Sequence, residues 1–284
     1  MPAKKFPTLR AQWLGEELRK HRMDANVTLA DAGQYLQRDQ GTISRIENGL
    51  VPARVADVMA LLNFYGVDDP MVRANLEQIS RDAWQKGWWD GYSKHAPAWM
   101  LDLAWMESRA RHIRSFDPIV FHGMLQTEEF ARALIAAGDP DVSSGQIDKW
   151  VDLRMERKRI LAGNQPVRFS SVVDESVLRR RLGGTEVIRG QLRHLLNLAD
   201  NSSVQIRVLP GDARVHPAPN GAFALLDLPE PYPHVGHIDT VSGNLWVEGE
   251  EADVIAKRYD RLESAALSPA DSAAKIRQLL KELE

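Results

Sequence analysis

The sequence predicts a multidomain protein, an all-α N-terminal domain with a helix-turn-helix followed by an α+β domain with a small mixed sheet. Up to residue 163, apolar residues recur every three or four positions, which is the spacing of helices. Beyond that point, short segments with the two-residue period of strands are bounded by glycine, proline or asparagine. A length of 284 residues suits two domains. We place them at residues 1–70 and 95–284, with a helical connector at 71–94.

Four helices are predicted in the N-terminal domain, at residues 13–23, 28–36, 40–47 and 55–65. Thr28, followed three residues later by Asp31, has the spacing of a capping box at the start of the second helix. After a short turn, Asp39 can cap the third helix. The pair Asn48-Gly49 suits a left-handed end of that helix.

The remaining elements follow from the same two periods. The chain from residue 71 to 163 is predicted to be helical, with clear helices at 126–136 and 146–161. Five strands are predicted after it, at residues 167–173, 204–209, 222–228, 234–239 and 244–248. Further helices are predicted at residues 186–199, 252–266 and 269–283.

Composition narrows the class of protein. The hydrophobic fraction of 44% and the charged fraction of 26% are typical of globular domains. No apolar run reaches the ~18 residues that span a bilayer, and the first ten residues lack the apolar segment of a signal peptide. The absence of cysteine excludes disulfides and thiolate metal sites, and is typical of a reducing compartment. We therefore expect a cytoplasmic protein that does not bind membranes.

The third helix has two different faces. Ile43 and Ile46 are spaced to anchor it in the domain, whereas the opposite face is polar. The second helix of a helix-turn-helix lies in the DNA major groove, where glutamine can pair with adenine and arginine with guanine. The candidate base-reading residues are Gln40, Gly41, Ser44 and Arg45. The candidate phosphate contacts are Thr28, Arg38, Thr42, Asn48 and Arg54.

Charge and packing refine this interpretation. Residues 1–70 contain nine basic and nine acidic residues, so the predicted reader has no net charge to hold DNA non-specifically. Its positive charge must be concentrated on one face.

Gly33, in the second helix, lacks a side chain and would allow that helix to pack closely against the third.

Two stretches carry a resemblance to a known family. Val-Thr-Leu-Ala-Asp-Ala-Gly at residues 27–33 and Asp-Gln-Gly-Thr-Ile-Ser-Arg-Ile-Glu-Asn-Gly at residues 39–49 resemble the XRE-type helix-turn-helix of phage repressors and Cro. The resemblance covers about 55 residues. It implies that Gln40, Gly41 and Arg45 occupy base-reading positions. It also implies that Arg22 and Glu47 form a structural pair between the first and third helices.

The downstream chain resembles a narrower group. Gly-Met-Leu-Gln-Thr-Glu-Glu-Phe-Ala-Arg at residues 123–132 is similar to a Pro-Gly-Leu-Leu-Gln-Thr-x-x-Tyr-Ala segment of actinobacterial XRE regulators. Later landmarks follow in order, at residues 173–178, 191–192, 208–210 and 221–223. His122 stands where these proteins have proline, and residues 237–240 replace a Tyr-Val-Glu-Thr-like strand. The resemblance implies an antitoxin-like regulatory domain, formerly a domain of unknown function, and a small partner protein encoded nearby.

Other residues admit a functional and a structural interpretation. Tryptophans at 84, 88, 89, 99 and 105 could line a ligand pocket, although tryptophans at helical spacing more often belong to a core. His234 and His237, three apart on a predicted strand, would lie on opposite faces and could not share a metal. The side chains of Asp174 and Glu175, which are adjacent in the sequence, would point in different directions. We therefore expect them to cap the following turn rather than to form a catalytic pair. The run 179–181 of three arginines is expected to be solvated, with flanking DNA as an alternative contact.

These observations favour a transcriptional regulator without enzymatic activity, cofactor or metal. Glycines 183 and 184 lack the ending of a phosphate-binding loop, and no nucleophile motif is present. The expected partners are a double-stranded DNA operator, a second copy in a homodimer, and the small protein. The alternative is a regulator with a small-molecule pocket in its C-terminal domain. The predicted C-terminal helix has an apolar stripe, which could pack on its own domain or in a groove of a partner. The stripe consists of Ile276, Leu279, Leu280 and Leu283.

Overall fold

The computed structural model describes residues 7–213, 217–240 and 243–283. Its contacts divide the chain into two compact units, Met1–Leu103 and Ala104–Glu284. The first unit is helical and the second combines helices with a mixed sheet. The predicted fold class is therefore confirmed.

The first unit is a bundle of short helices. They are α1 (Leu9–Asp24), α2 (Leu29–Tyr35), α3 (Gln40–Glu47), α4 (Val55–Phe64), α5 (Pro70–Ala83) and the start of α6 (Ala98–Arg109). A 3₁₀ turn, Trp88–Tyr92, precedes α6. Leu14, Leu18, Ile43 and Leu62 are almost completely buried and form the centre of the bundle. The predicted limits of the third helix, residues 40–47, are confirmed.

The helical bundle continues beyond residue 70, where the sequence analysis placed a connector. Asp69 caps α5 by accepting bonds from the backbone of the first turn, and Pro70 occupies its first position. Leu76 and Ile79 of α5 are buried, and the helix packs against α1 and α4. Because the apolar face of α5 is buried against these helices, α5 belongs to the same packed unit.

The second unit is built on a six-stranded sheet in the order β3-β2-β1-β4-β5-β6. β1 pairs in parallel with β2, which pairs in parallel with β3, while β4, β5 and β6 continue from β1 in antiparallel pairs. The strands are β1 (His112–Asp117), β2 (Arg168–Asp174), β3 (Val204–Leu209), β4 (Phe223–Asp227), β5 (His234–Thr240) and β6 (Gly243–Val247).

The prediction that residues 71–163 are helical throughout is wrong at β1. This strand lies in the interior of the sheet, between β2 and β4. Because both of its faces are covered, the buried residues do not alternate with exposed ones. Two of the buried positions are polar, Ser115 and Asp117. The strand therefore has neither a two-residue period nor a continuous apolar run.

The helices of this unit pack on the sheet or on one another. They are α7 (Glu128–Gly138), α8 (Ser144–Arg157), α9 (Glu175–Arg179), α10 (Thr185–Ala199), α11 (Gly249–Ala265) and α12 (Pro269–Lys281). Ile276 and Leu279 of α12 are buried, and this helix packs against α10 and β3. The C-terminal stripe thus buries its centre within its own domain.

The segment 123–132 is held in place by buried amide groups. Gln126 donates from its side chain to the Phe121 carbonyl and accepts a 2.8 Å bond from Arg154. Gln191 accepts from the backbone N–H of Thr127 at 2.8 Å and donates to the Leu125 carbonyl at 2.7 Å. These bonds satisfy backbone groups of a buried loop, which would otherwise lose their hydrogen bonds to water. Gln126 therefore has a structural role: it holds this loop in its folded conformation.

A buried carboxyl group of β1 makes the stability of this unit depend on pH. Both the Ser115 and Ser171 hydroxyls donate to Asp117 Oδ2 at 2.7 Å, and burial raises the pKa of Asp117 to about 7. Between its ordinary pKa and that value, the folded state holds a proton that the unfolded state releases. The contribution of Asp117 to stability therefore falls as pH rises from about 4 through about 7.

We expect Asp117→Asn to remove this dependence, because the amide keeps an acceptor oxygen for the serines but carries no charge. At pH 8 the variant should be more stable than the wild type by at least about 1 kcal/mol, since one pKa unit corresponds to about 1.4 kcal/mol. At pH 4 the two should differ little. Urea unfolding of the full chain at pH 4 to 8 measures this, and parallel pH curves for the two proteins would contradict it.

Candidate DNA interface

Local bonds at helix ends fix the geometry of the helix-turn-helix. Thr28 caps α2 and exchanges hydrogen bonds with Asp31, so the predicted capping box is confirmed. Asp39 caps α3 by accepting from Thr42 N at 2.9 Å. After α3, Gly49 has φ of +68°, the left-handed conformation predicted for this end.

Gly33 brings α2 close to the turn that follows it. A Cβ atom at this position would lie 2.9 Å from the Arg38 carbonyl oxygen and 3.2 Å from Gln40 N. Both neighbours are backbone atoms, so they cannot move aside without displacing α3. The close packing expected of Gly33 is confirmed.

We expect Gly33→Ala to cost about 1–3 kcal/mol of stability, because overpacking forces the backbone to shift. Gly190→Ala in α10 is the matched control, because no atom lies within 4 Å of its added Cβ. The control should gain about 1 kcal/mol from helix propensity. Urea unfolding of the full chain measures both variants. Equal midpoints for the two would show that the contact is not tight.

The two faces of α3 differ as the sequence analysis expected. Ile43 is completely buried and Ile46 is 5% exposed. Gln40, Arg45 and Asn48 are exposed, and Gly41 and Ser44 are partly so. Gln40 and Ser44, Gly41 and Arg45, and Ser44 and Asn48 are each four residues apart, so these positions share one side of the helix. The structure thus places all four candidate base-reading residues on a single exposed surface.

Several of these side chains are held by neighbours on the same helix. Arg45 donates from Nη2 to Thr42 Oγ1 at 2.7 Å and lies 3.9 Å from an Asp39 carboxylate oxygen. Asn48 donates to the Ser44 carbonyl at 2.6 Å. The Arg45 side chain is half exposed, so its pair with Asp39 is worth at most about 1 kcal/mol. Little free energy is therefore needed to separate Arg45 from Asp39.

The candidate phosphate contacts occupy the edges of this surface. Thr28 is exposed at the start of α2, and Thr42 bonds Asp39 at the start of α3. Arg38 lies in the turn, 3.5 Å from Asp57. Arg54 is exposed at the start of α4, where its side chain makes no capping bond.

Sequence reasoning identified the arginines but missed their acidic neighbours. The sequence predicts Asp39 only as a helix cap and indicates no role for Asp57. In the structure each lies beside a candidate DNA-contacting arginine. The spacing of Asp39 and Arg45, six apart across a helix start, could have suggested the first pair. No sequence signal connects Arg38 with Asp57, which is 19 residues away.

Arg22 and Glu47 join α1 to α3 through two parallel hydrogen bonds. Arg22 donates from Nε and Nη2 to the two carboxylate oxygens at 2.6 and 2.9 Å. Its Nη1 donates to the Val27 carbonyl at 2.8 Å. The side chains are 12% and 5% exposed, and the hydrogen bonding of Arg22 to the Glu47 carboxylate raises the pKa of Arg22. This paired geometry fixes the orientation of α3 within the bundle.

The tryptophans differ in their burial. Trp105 is completely buried and packs edge-on against Tyr232 in the second unit. Trp89 is buried in the first unit, whereas Trp84 is 51% exposed. The core interpretation therefore holds for Trp89 and Trp105.

The other candidate residues have local partners. His234 pairs with Asp227 at 2.9 Å and His237 with Asn244 at 2.6 Å. Asp174 caps α9, and Glu175 accepts from Arg179 and Lys275. Gly184 begins α10 with a φ of +94°. Within the described ranges, no group of three or more potential ligands is arranged to hold a metal ion.

A capped two-helix reader with a buried apolar face and an exposed polar face defines a DNA-binding helix-turn-helix regulator. In agreement, residues 13–75 match the family model of a helix-turn-helix domain. The chain belongs to the family described as "Domain of unknown function (DUF5753)", whose model matches residues 100–278. No curated protein and no solved structure matches the chain. Every helix in the described ranges is too short or too polar to span a bilayer.

Proposed function

We propose that this regulator reads a specific operator with α3, through Gln40, Gly41, Ser44 and Arg45, in the manner of XRE-type repressors. The observation that carries the proposal is the single exposed polar surface of α3, opposite the buried Ile43 and Ile46. Arginine and glutamine on such a surface can make two-bonded contacts with guanine and adenine. Thr28, Arg38, Thr42, Asn48 and Arg54 would fix the register on the phosphates.

The operator can be found by selecting bound duplexes from a random pool with the purified chain, followed by footprinting. A reader whose net charge is zero should show a modest salt dependence and a clear sequence preference. Recovery of unrelated sequences, bound equally well, would argue against base reading by α3.

We also propose that the protein works as a homodimer. A single short recognition helix contacts few base pairs, and proteins of this class bind two half-sites about one helical turn apart. Light scattering of the chain, free and on operator DNA, measures this. A monomer at micromolar concentration in both conditions would contradict the proposal.

For the C-terminal domain we propose a non-enzymatic, antitoxin-like role, in which a small protein encoded nearby binds it and changes DNA affinity. The resemblance over residues 95–270 supports this role. The motif residue Gln126 and the adjacent acids Asp174 and Glu175 are engaged in loop and helix-cap bonds. These bonds give the three residues a structural role and do not support a catalytic one.

Calorimetric titration of the full chain with the product of an adjacent small open reading frame tests this role. By linkage, a partner that changes operator affinity must itself bind with a changed affinity in the presence of operator, by the same factor. Measuring both sides of this cycle separates regulation from simple co-purification. No binding at tens of micromolar would count against the partner.

The alternative of a small-molecule sensor is favoured by one observation. A groove of about 320 Å³ lies beside β4, β5 and the start of α11, and its lining includes the apolar residues Phe223 and Ile255. This volume is at the lower end of ligand sites, which are roughly 300–1,000 Å³. Native mass spectrometry of the purified chain would reveal a stoichiometric ligand and favour this alternative over the partner.

A further inference from the structure

The two edges of the sheet are finished differently. At the β3 edge, Val208 accepts from the backbone of Leu267 and donates to the Ser272 hydroxyl, both at 2.9 Å. The chain leading into α12 therefore covers that edge. At the other edge, no strand within residues 7–213, 217–240 and 243–283 pairs with the outer side of β6.

The β6 strand lacks the features that keep sheet edges from pairing with other chains. Its sequence, Gly-Asn-Leu-Trp-Val, contains no charged residue and no proline. Natural edge strands are usually protected by lysine, proline or a bulge, because an open edge is a template for another strand. Leu245, at its centre, is 51% exposed.

The open edge is continuous with the apolar groove. Leu245 pairs with Ile238 across the hairpin, and directly opposed residues lie on the same face of the sheet. Ile238 and Val247 line the groove, together with Val254 of α11, which is 49% exposed. An added strand could thus pair with the β6 backbone and place alternate side chains in the groove.

The charge around this surface indicates the chemistry of what it binds. Residues 239–260 contain six acidic and two basic residues, and one of the basic residues, Arg258, lines the groove together with Glu251. Glu248 immediately precedes α11, and Glu250 and Glu251 lie in the first turn of this helix, next to the end of β6. A two-fold dimer would bring this acidic patch against itself, because such an interface uses the same surface on both subunits. The charge therefore favours a different, basic partner.

We propose that β6 and the adjoining groove are the docking surface for an extended segment of a partner protein, with alternating aliphatic residues and flanking lysine or arginine. The segment adds a seventh strand to the sheet beside β6. This inference rests on the proposed function, since it assigns the surface through which the C-terminal domain would bind its small partner.

The test uses the full chain and the product of the adjacent small open reading frame as the probe. We expect Leu245→Lys and Val254→Lys to weaken binding at least about tenfold, as for central interface residues. Ile119→Lys is the matched control, because Ile119 is 53% exposed but lies outside the strand and groove. Its affinity should stay within about twofold of the wild type, as expected for a residue outside the interface. All three variants should bind operator DNA normally.

Hydrogen exchange gives a second measurement, in which the probe should protect the backbone amides of residues 243–247. If the probe binds but neither affinity nor protection changes at β6, the docking surface is wrong while the partner role survives. If the probe does not bind the wild type, both proposals fail together. A loss of dimerisation in Leu245→Lys would assign the surface to a second copy and overturn the proposal.

Discussion

Arg45→Ala should abolish discrimination between operator and unrelated DNA while leaving the fold intact. A two-bonded arginine–guanine contact is worth about 1–3 kcal/mol, and a two-fold dimer would lose it twice. The contact that Arg45 gives up in the free protein, an exposed pair with Asp39, is worth at most about 1 kcal/mol. Base reading therefore dominates the expected effect. Binding to selected and scrambled duplexes at one fixed salt concentration measures it.

Arg54→Ala is the matched control for this prediction. Arg54 is also an exposed arginine of the same unit, at the start of α4. As a phosphate contact it should weaken binding to both duplexes alike and lower the salt slope by about one. If Arg45→Ala behaves in this same uniform way, or retains full specificity, α3 does not read bases through Arg45.

The parts of the fold that the sequence predicted well are determined by neighbours in the chain. The limits of α3 follow from Asp39 at its start and Gly49 after its end, and both signals act within three residues. The strands of the antiparallel half can also be located in the sequence, because each is short and bounded by turn residues. Elements that are determined by residues close in sequence can be predicted from the sequence alone.

The parts that were missed depend on distant residues. β1 is a strand because β2 and β4 flank it, and its buried Ser115 and Asp117 are satisfied by each other and by Ser171. The sequence of β1 alone does not indicate that it pairs with these two strands. The counter-charge of Arg38, provided by Asp57, likewise depends on how α4 packs beside the turn. At the candidate site, the sequence therefore predicts the exposed residues but not the acids that hold them.

The Arg22–Glu47 pair lies between these cases, since its residues are 25 apart and only the family resemblance implied their contact. The pair is almost fully buried and doubly hydrogen-bonded. Its Coulombic gain largely offsets the cost of removing both charges from water, so the intact pair contributes little net stability. Breaking it is different, because one charge is then left without a partner.

We therefore expect Glu47→Ala to destabilise the protein by about 3–5 kcal/mol, a large fraction of the total stability of a typical domain. Arg22 would keep its bond to the Val27 carbonyl but lose both bonds to the carboxylate. Because Glu47 belongs to α3, operator binding should fall together with stability. Thermal and urea unfolding of the full chain, followed by operator titration below the transition, measure the two effects.

Two further variants separate a buried charge pair from an ordinary surface contact. Glu77→Ala breaks the exposed Glu77–Arg81 pair on α5 and should cost no more than about 0.5 kcal/mol. Replacing both members of the buried pair, Arg22→Met with Glu47→Leu, removes both charges and should recover much of the stability lost in Glu47→Ala. If Glu47→Ala unfolds at the same midpoint as Glu77→Ala, the pair does not hold α3. If the double variant is less stable than Glu47→Ala, the loss comes from packing and not from an unpaired arginine.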